Sequence, residues 1–176
     1  METRNSSTRP RPLITQVQNN TTLWIGHLQT DPTDHFAGQT FRSPSSGELD
    51  NIQIFSAAVQ SPGQLTLSVH SFDPQNKSWG PLLASATVEV ETVDREKWIR
   101  FDLPPMPLHQ DEMYGFRIYT NNSMIALGEA AAGNQNPFNG EEWHADSVNQ
   151  VGHYYRYFSL AYKIEMCGGL NVSSLK

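Results

Sequence analysis

Apolar and polar residues alternate with a period of two along most of the chain, from Gln39 to Met166. In Gly63-Gln-Leu-Thr-Leu-Ser-Val-His70, Leu65, Leu67 and Val69 fall on one side, and Thr66, Ser68 and His70 on the other. Successive side chains of a strand point to opposite faces, so this spacing predicts ribbons with one dry and one wet face. The same reasoning puts Ile52 and Ile54 inward on a long strand over 48–59, with Leu65 to Phe72 next. Further inward rows are Leu82, Ala84, Ala86, Val88 and Val90; Ile99, Phe101 and Leu103; Tyr114, Phe116 and Ile118; Ile125 and Leu127; and Phe158, Leu160, Tyr162 and Ile164.

Turn formers separate these rows: Asp31-Pro-Thr-Asp34, Ser43-Pro-Ser-Ser-Gly47, Ser61-Pro-Gly63, Asp73-Pro-Gln-Asn-Lys-Ser-Trp-Gly80 and Asn121-Asn-Ser123. Leu103-Pro-Pro-Met-Pro107 is expected to stop its strand, because proline cannot donate to a ladder. Leu23-Trp-Ile25 predicts a first strand, Trp143 opens a weak one, and Ala131 to Gly140 is irregular. No segment carries a helical period. Roughly eight to ten strands at this spacing predict an all-β fold: a two-sheet antiparallel β-sandwich of jelly-roll type, whose sheets bury one another's apolar faces. The expected organisation is a polar flexible N-terminal tail over 1–20, a single domain over 21–166 and a C-terminal tail over 167–176.

Length and composition narrow the function classes. A chain of 176 residues suits one domain that needs neither disulfides nor metal for its core. The net charge is -6 and Lys and Arg are not clustered, so the basic stripe that nucleic-acid binding requires is missing. The single Cys167 excludes an intrachain disulfide and fits a reducing compartment. The first residues contain no apolar leader core and no apolar run approaches the roughly 20 residues of a membrane helix. The expectation is therefore no membrane partner and a cytoplasmic location by default, or an extracellular or cell-surface one if a leader was removed.

Several short stretches carry a family likeness. They are Gly38-Gln-Thr-Phe41, Ser46-Gly-Glu-Leu-Asp-Asn-Ile52, Pro62-Gly-Gln-Leu-Thr-Leu-Ser-Val69, Gly80-Pro-Leu-Leu-Ala-Ser85, Trp98-Ile-Arg-Phe-Asp-Leu103, Asn136-Pro-Phe-Asn-Gly140 and Leu160-Ala-Tyr-Lys-Ile164. In this order the chain resembles the jelly-roll β-sandwich modules, similar to carbohydrate-binding modules, of bacterial surface and secreted proteins. The resemblance implies a non-catalytic binding module with carbohydrate as its ligand class. The region from Trp143 to Tyr157, rich in aromatic and His residues, falls outside that pattern.

The residues themselves offer little for catalysis. Glu129, Glu141, Glu142, Asp146 and Asp111 lie near aromatics, but no spacing selects the carboxylate pair that glycoside hydrolysis needs. No Gly-x-Ser-x-Gly elbow occurs. His144-Ala-Asp146 with His153, and His27 with Asp34 and His35, are loose clusters without zinc-site spacing, so no metal site is assigned. A structural calcium remains compatible with the fold type, although no Asp-rich loop marks one.

Sugar binding is the best match, because exposed rings stack on the C–H face of a pyranose while amides and charged groups take the hydroxyls. The outward or loop positions that fit are Trp79, Trp98, Arg117, Tyr119, Asn136, Glu141, Trp143, His144, Tyr155 and Tyr157. The competing expectation for the same aromatic surplus is a protein-interaction or structural surface, such as a homodimer face.

Overall fold

The computed structural model describes residues 9–132 and 138–168. Among them every regular element is a strand. Among the described residues no helix is long and apolar enough to cross a membrane. The strands are β1 (Arg11–Gln16), β2 (Thr21–Gly26), β3 (His35–Arg42), β4 (Gly47–Ser61), β5 (Gly63–Asp73), β6 (Ser78–Val90), β7 (Lys97–Leu108), β8 (Met113–Tyr119), β9 (Met124–Ala131), β10 (Glu142–Asp146), β11 (His153–Tyr155), β12 (Phe158–Leu160) and β13 (Tyr162–Cys167).

All pairings are antiparallel and join into one curled sheet. One limb carries β6, β5, β8 and β3 in that order, with β10 and then β11 added on β3. The other is built on β4, which pairs with β7, β13 and β9; β2 lies beyond β9 and β1 beyond β13. The strand ladders of the two limbs are joined by a single residue pair, Gly26 with His35. The curl encloses one continuous core containing Ile52, Leu67, Phe101, Phe116, Ile125 and Ile164. Its two sides touch where the rings of Phe116 (β8) and Tyr162 (β13) cross with centroids 5.5 Å apart. The all-β, antiparallel architecture expected from the alternation is thus present, and the curl is compatible with a β-sandwich.

Two expectations about elements need correction. Residues 11–16, expected to belong to a flexible tail, form β1, held along β13 from Arg11 opposite Met166 to Gln16 opposite Tyr162. The apolar Leu13 and Ile14 pack against the core there, which stabilises an otherwise polar segment. The strand expected to end at Leu103 instead continues to Leu108. Its proline run is tolerated because β7 lies at a sheet edge and pairs only with β4, and because the register slips between Asn51 and Leu49. Prolines in a sheet sit at such edges and bulges, where no ladder hydrogen bond is lost.

Candidate functional site

Strand β10 supplies the candidate chemistry, and its alternation sends it to two places. Directly opposed residues share a face: Trp143 lies opposite Gly38 and Tyr154, and Glu142 and His144 lie opposite Gln39 and Ala37. Ala37 and Gln39 are fully buried, so Glu142 and His144 point into the curl and Trp143 points out of it.

On the outer face Trp143 joins an aromatic layer. Its ring meets Trp79 edge to face at 5.3 Å, Trp79 meets Phe72 at 5.2 Å, and Phe72 meets Tyr154 at 5.6 Å. Two glycines make room for the indoles against the sheet: a Cβ on Gly38 would stand 3.0 Å from Trp143, and one on Gly115 2.5 Å from Trp79. The Arg117 guanidinium lies 5.0 Å from the Trp79 ring centroid and 5.8 Å from that of Trp143, a cation–π arrangement. Among the described residues no carboxylate forms an ion pair with Arg117.

Beside this layer opens a groove of about 340 Å³, lined by Phe36, Ser68, His70, Leu82, Arg117, Tyr119, Trp143 and Gln150. Of its apolar lining residues, Tyr119 is 43% exposed and Leu82 58% exposed, while Trp143 is nearly buried. His70 is held in one tautomer. Nδ1–H donates to the Gly80 carbonyl at 3.0 Å, and Nε2 accepts from the Ser68 hydroxyl at 2.9 Å and from Arg117 at 3.2 Å. Burial, opposed in part by Gly80 and reinforced by the Arg117 charge, holds its pKa below the usual histidine value. The groove therefore presents a neutral imidazole beside one cation.

On the inner face Glu142 and His144 meet Glu129 of β9. Their donor atoms all lie within 4.8 Å of one another. His144 Nε2 is hydrogen-bonded to Glu142 Oε1 and lies 3.7 Å from Glu129 Oε2. The Glu142 side chain is fully buried and its Oε2 has no hydrogen-bond partner. Burial pushes the Glu142 carboxyl up to about 8, against the pull of His144 and aided by a hydrogen bond with Glu129 and by that group's charge. For His144 burial works downward, but its contacts with Glu129 and Glu142 outweigh this and raise it to about 9. For Glu129 burial works upward, and its contacts with His144 and Glu142 outweigh that, so the carboxyl titrates below its usual range. At neutral pH the three groups are one carboxylate, one carboxylic acid and one imidazolium, with no net charge. Tyr155 packs on His144 at 4.6 Å and on Phe158 at 5.8 Å.

The ten positions singled out in the sequence are thus dispersed. Arg117, Tyr119 and Trp143 line the groove and Trp79 packs beneath it. His144 and Tyr155 belong to the inner cluster. Glu141 is paired with Lys77 at 3.0 Å. Trp98 lies on β7, with Phe55 at 5.3 Å and the Lys163 ammonium 4.1 Å from its ring centroid. Tyr157 is exposed with Arg156 over it. Asn136 lies outside the described residues. Sequence reasoning missed Phe36, Ser68, His70, Leu82 and Gln150; Leu82, expected on an inward row, is exposed just past a register shift between β5 and β6, and Ser68 and His70 were visible as members of an outward row, but nothing in their spacing tied them to Arg117. Of the two loose clusters, the first comes apart, His144 joining Glu129 and Glu142 while Asp146 accepts the Val148 and Asn149 N–H groups; the second resolves as two pairs, His27 with Asp34 at 2.6 Å and His35 with Asp31 at 3.1 Å.

The sequence matches no known protein family, and no curated protein matches it.

Proposed function

We propose that this protein is a non-catalytic binding module of jelly-roll type whose outer-face groove binds carbohydrate. The observation that carries the reading is the convergence of Tyr119, Trp143 and Arg117, singled out separately in the sequence, on one groove beside Ser68, His70 and Gln150. An exposed ring set beside hydroxyl, amide and guanidinium groups suits a sugar, which offers an apolar C–H face and a rim of hydroxyls. Arg117, without a carboxylate partner among the described residues, adds a charge-assisted donor. A non-catalytic role fits the placement of Glu129 and Glu142, which are buried on the inner face and turned away from the groove.

A glycan array probed with the purified chain tests this. The expected result is retention of at least one glycan, with Tyr119→Ala weakening it at least tenfold and Tyr157→Ala leaving it unchanged. Absence of any retained glycan, or undiminished binding by Tyr119→Ala, would overturn the reading. So would a dimer in light scattering that Tyr119→Glu dissociates, since a second copy would then cover the groove.

A further inference from the structure

We propose that Glu129, Glu142 and His144 form a binding site for one divalent transition-metal ion of the zinc class, enclosed within the curl and separate from the groove. Three observations support it. First, the donor set is right: two carboxylates and an imidazole nitrogen from two strands, with donor atoms within 4.8 Å of one another. Ligands about 2.1 Å from a tetrahedral zinc ion stand roughly 3.4 Å apart. The 3.7 Å between His144 Nε2 and Glu129 Oε2 is close to that spacing.

Second, the fully buried Glu142 leaves Oε2 without a hydrogen-bond partner. A buried carboxylate oxygen with no partner carries a desolvation cost that a bound cation removes. Third, among the described residues only His144 forms an ion pair with Glu129 or Glu142; no Lys or Arg reaches them. Protons or a metal ion must then balance the two carboxylates. A metal ion would draw on both carboxylates and the imidazole at once.

The backbone holds these ligands in place. Glu129 is paired on both sides, with Thr21 of β2 and Leu160 of β12. Glu142 is paired on both sides, with Gln39 of β3 and Tyr155 of β11. The Gln39 side chain ties the two regions together, its Oε1 accepting the Leu160 N–H at 3.0 Å. The donor set also selects the ion. Calcium takes six to eight oxygen ligands, more than two carboxylates supply, and does not favour imidazole, whereas zinc accepts N and O donors in a four-coordinate set. Three protein ligands leave a fourth position, and His144 is the only one of the three with appreciable exposure, so that position opens beside it.

The test is a titration of the full chain, stripped with chelator, with zinc chloride and separately with calcium chloride, followed by calorimetry and by thermal unfolding. The expected result is one zinc ion per chain with a dissociation constant below about 10 μM, a higher melting temperature with zinc, and no response to calcium. Glu142→Gln and Glu129→Gln, which preserve side-chain size, are each expected to weaken zinc binding at least tenfold while keeping the wild-type circular dichroism spectrum. Glu141→Gln, outside the cluster, should bind as wild type. Absence of zinc binding would mean that protons alone balance the cluster and would overturn the proposal. Zinc binding that survives both substitutions would place the ion at surface pairs such as His27 with Asp34, and would overturn it equally.

Discussion

Replacing Gly115 by alanine tests whether the outer aromatic layer is packed as tightly as its geometry indicates. Gly115 lies on β8 between Thr40 and His70, directly beneath Trp79. The added Cβ would stand 2.5 Å from Cζ3 and 2.9 Å from Cη2 of that indole, where ordinary contact begins at 3.4 Å. The ring must retreat by 3.4 − 2.5, or about 0.9 Å. It has little room: Phe72, Trp143, His70 and the Arg117 guanidinium all lie within 5.8 Å of it, centroid to centroid or charge to centroid. Overpacking of this kind costs about 1–3 kcal/mol. Removing glycine's freedom from the unfolded chain offsets about 0.4–1 kcal/mol of that. The net expectation is a loss of about 0.5–2 kcal/mol, which for a domain of this size lowers Tm by roughly 2–4 °C per kcal/mol. Urea unfolding followed by tryptophan fluorescence should show an earlier midpoint with an unchanged slope, and native emission should change as Trp79 shifts. A variant as stable as wild type with identical emission would refute the reasoning, because it would mean that the indole does not rest on Gly115.

His70 is expected to titrate below its ordinary value of 6.5, since burial and the Arg117 charge disfavour the imidazolium. A depressed histidine contributes stability that is fully present above 6.5 and is lost as pH falls from there through its lower folded-state value; because Glu142, raised to about 8, acts in the opposite sense over that range, the loss should show as a stability difference between wild type and His70→Asn that shrinks as pH falls below 6.5. An NMR titration of His70 with a midpoint at or above 6.5 would contradict this. Phe116→Ala should remove the ring that meets Tyr162 across the core and cost about 3–5 kcal/mol in urea unfolding. A cost below about 1.5 kcal/mol would show that the two sides of the curl do not depend on that contact.

The inward rows were legible because burial on one face leaves a direct signature in the alternation: Ile52, Leu67, Phe101 and Phe116 are all fully buried. The edge strand through Pro104 and Pro105 was not, because tolerance of proline depends on which neighbour lies alongside, a tertiary fact. β1 was hidden for a related reason: Leu13 and Ile14 have no period of their own and become a strand only by lying on β13. Of the groove, Arg117, Tyr119 and Trp143 were legible as an aromatic and cationic surplus on outward rows. The inner cluster was not, because Glu129 and Glu142 are brought together by the curl of the sheet. Thirteen positions of sequence separate them, and no local periodicity spans that distance.

The placement of β13 has a consequence for how the chain reaches this state during synthesis. The last strand inserts between β1 and β4, two of the first. While the chain emerges from the ribosome, β4 must wait for about 100 further residues before that edge is covered, roughly 5–20 s at ordinary elongation rates. During that interval β1 has no partner and an apolar edge is open to other chains. Closure of that edge therefore waits for β13, however early β1 and β4 emerge. A chaperone that shields nascent edges, or slower expression at low temperature, should raise the soluble yield far more than it would for a protein whose neighbours in space are neighbours in sequence.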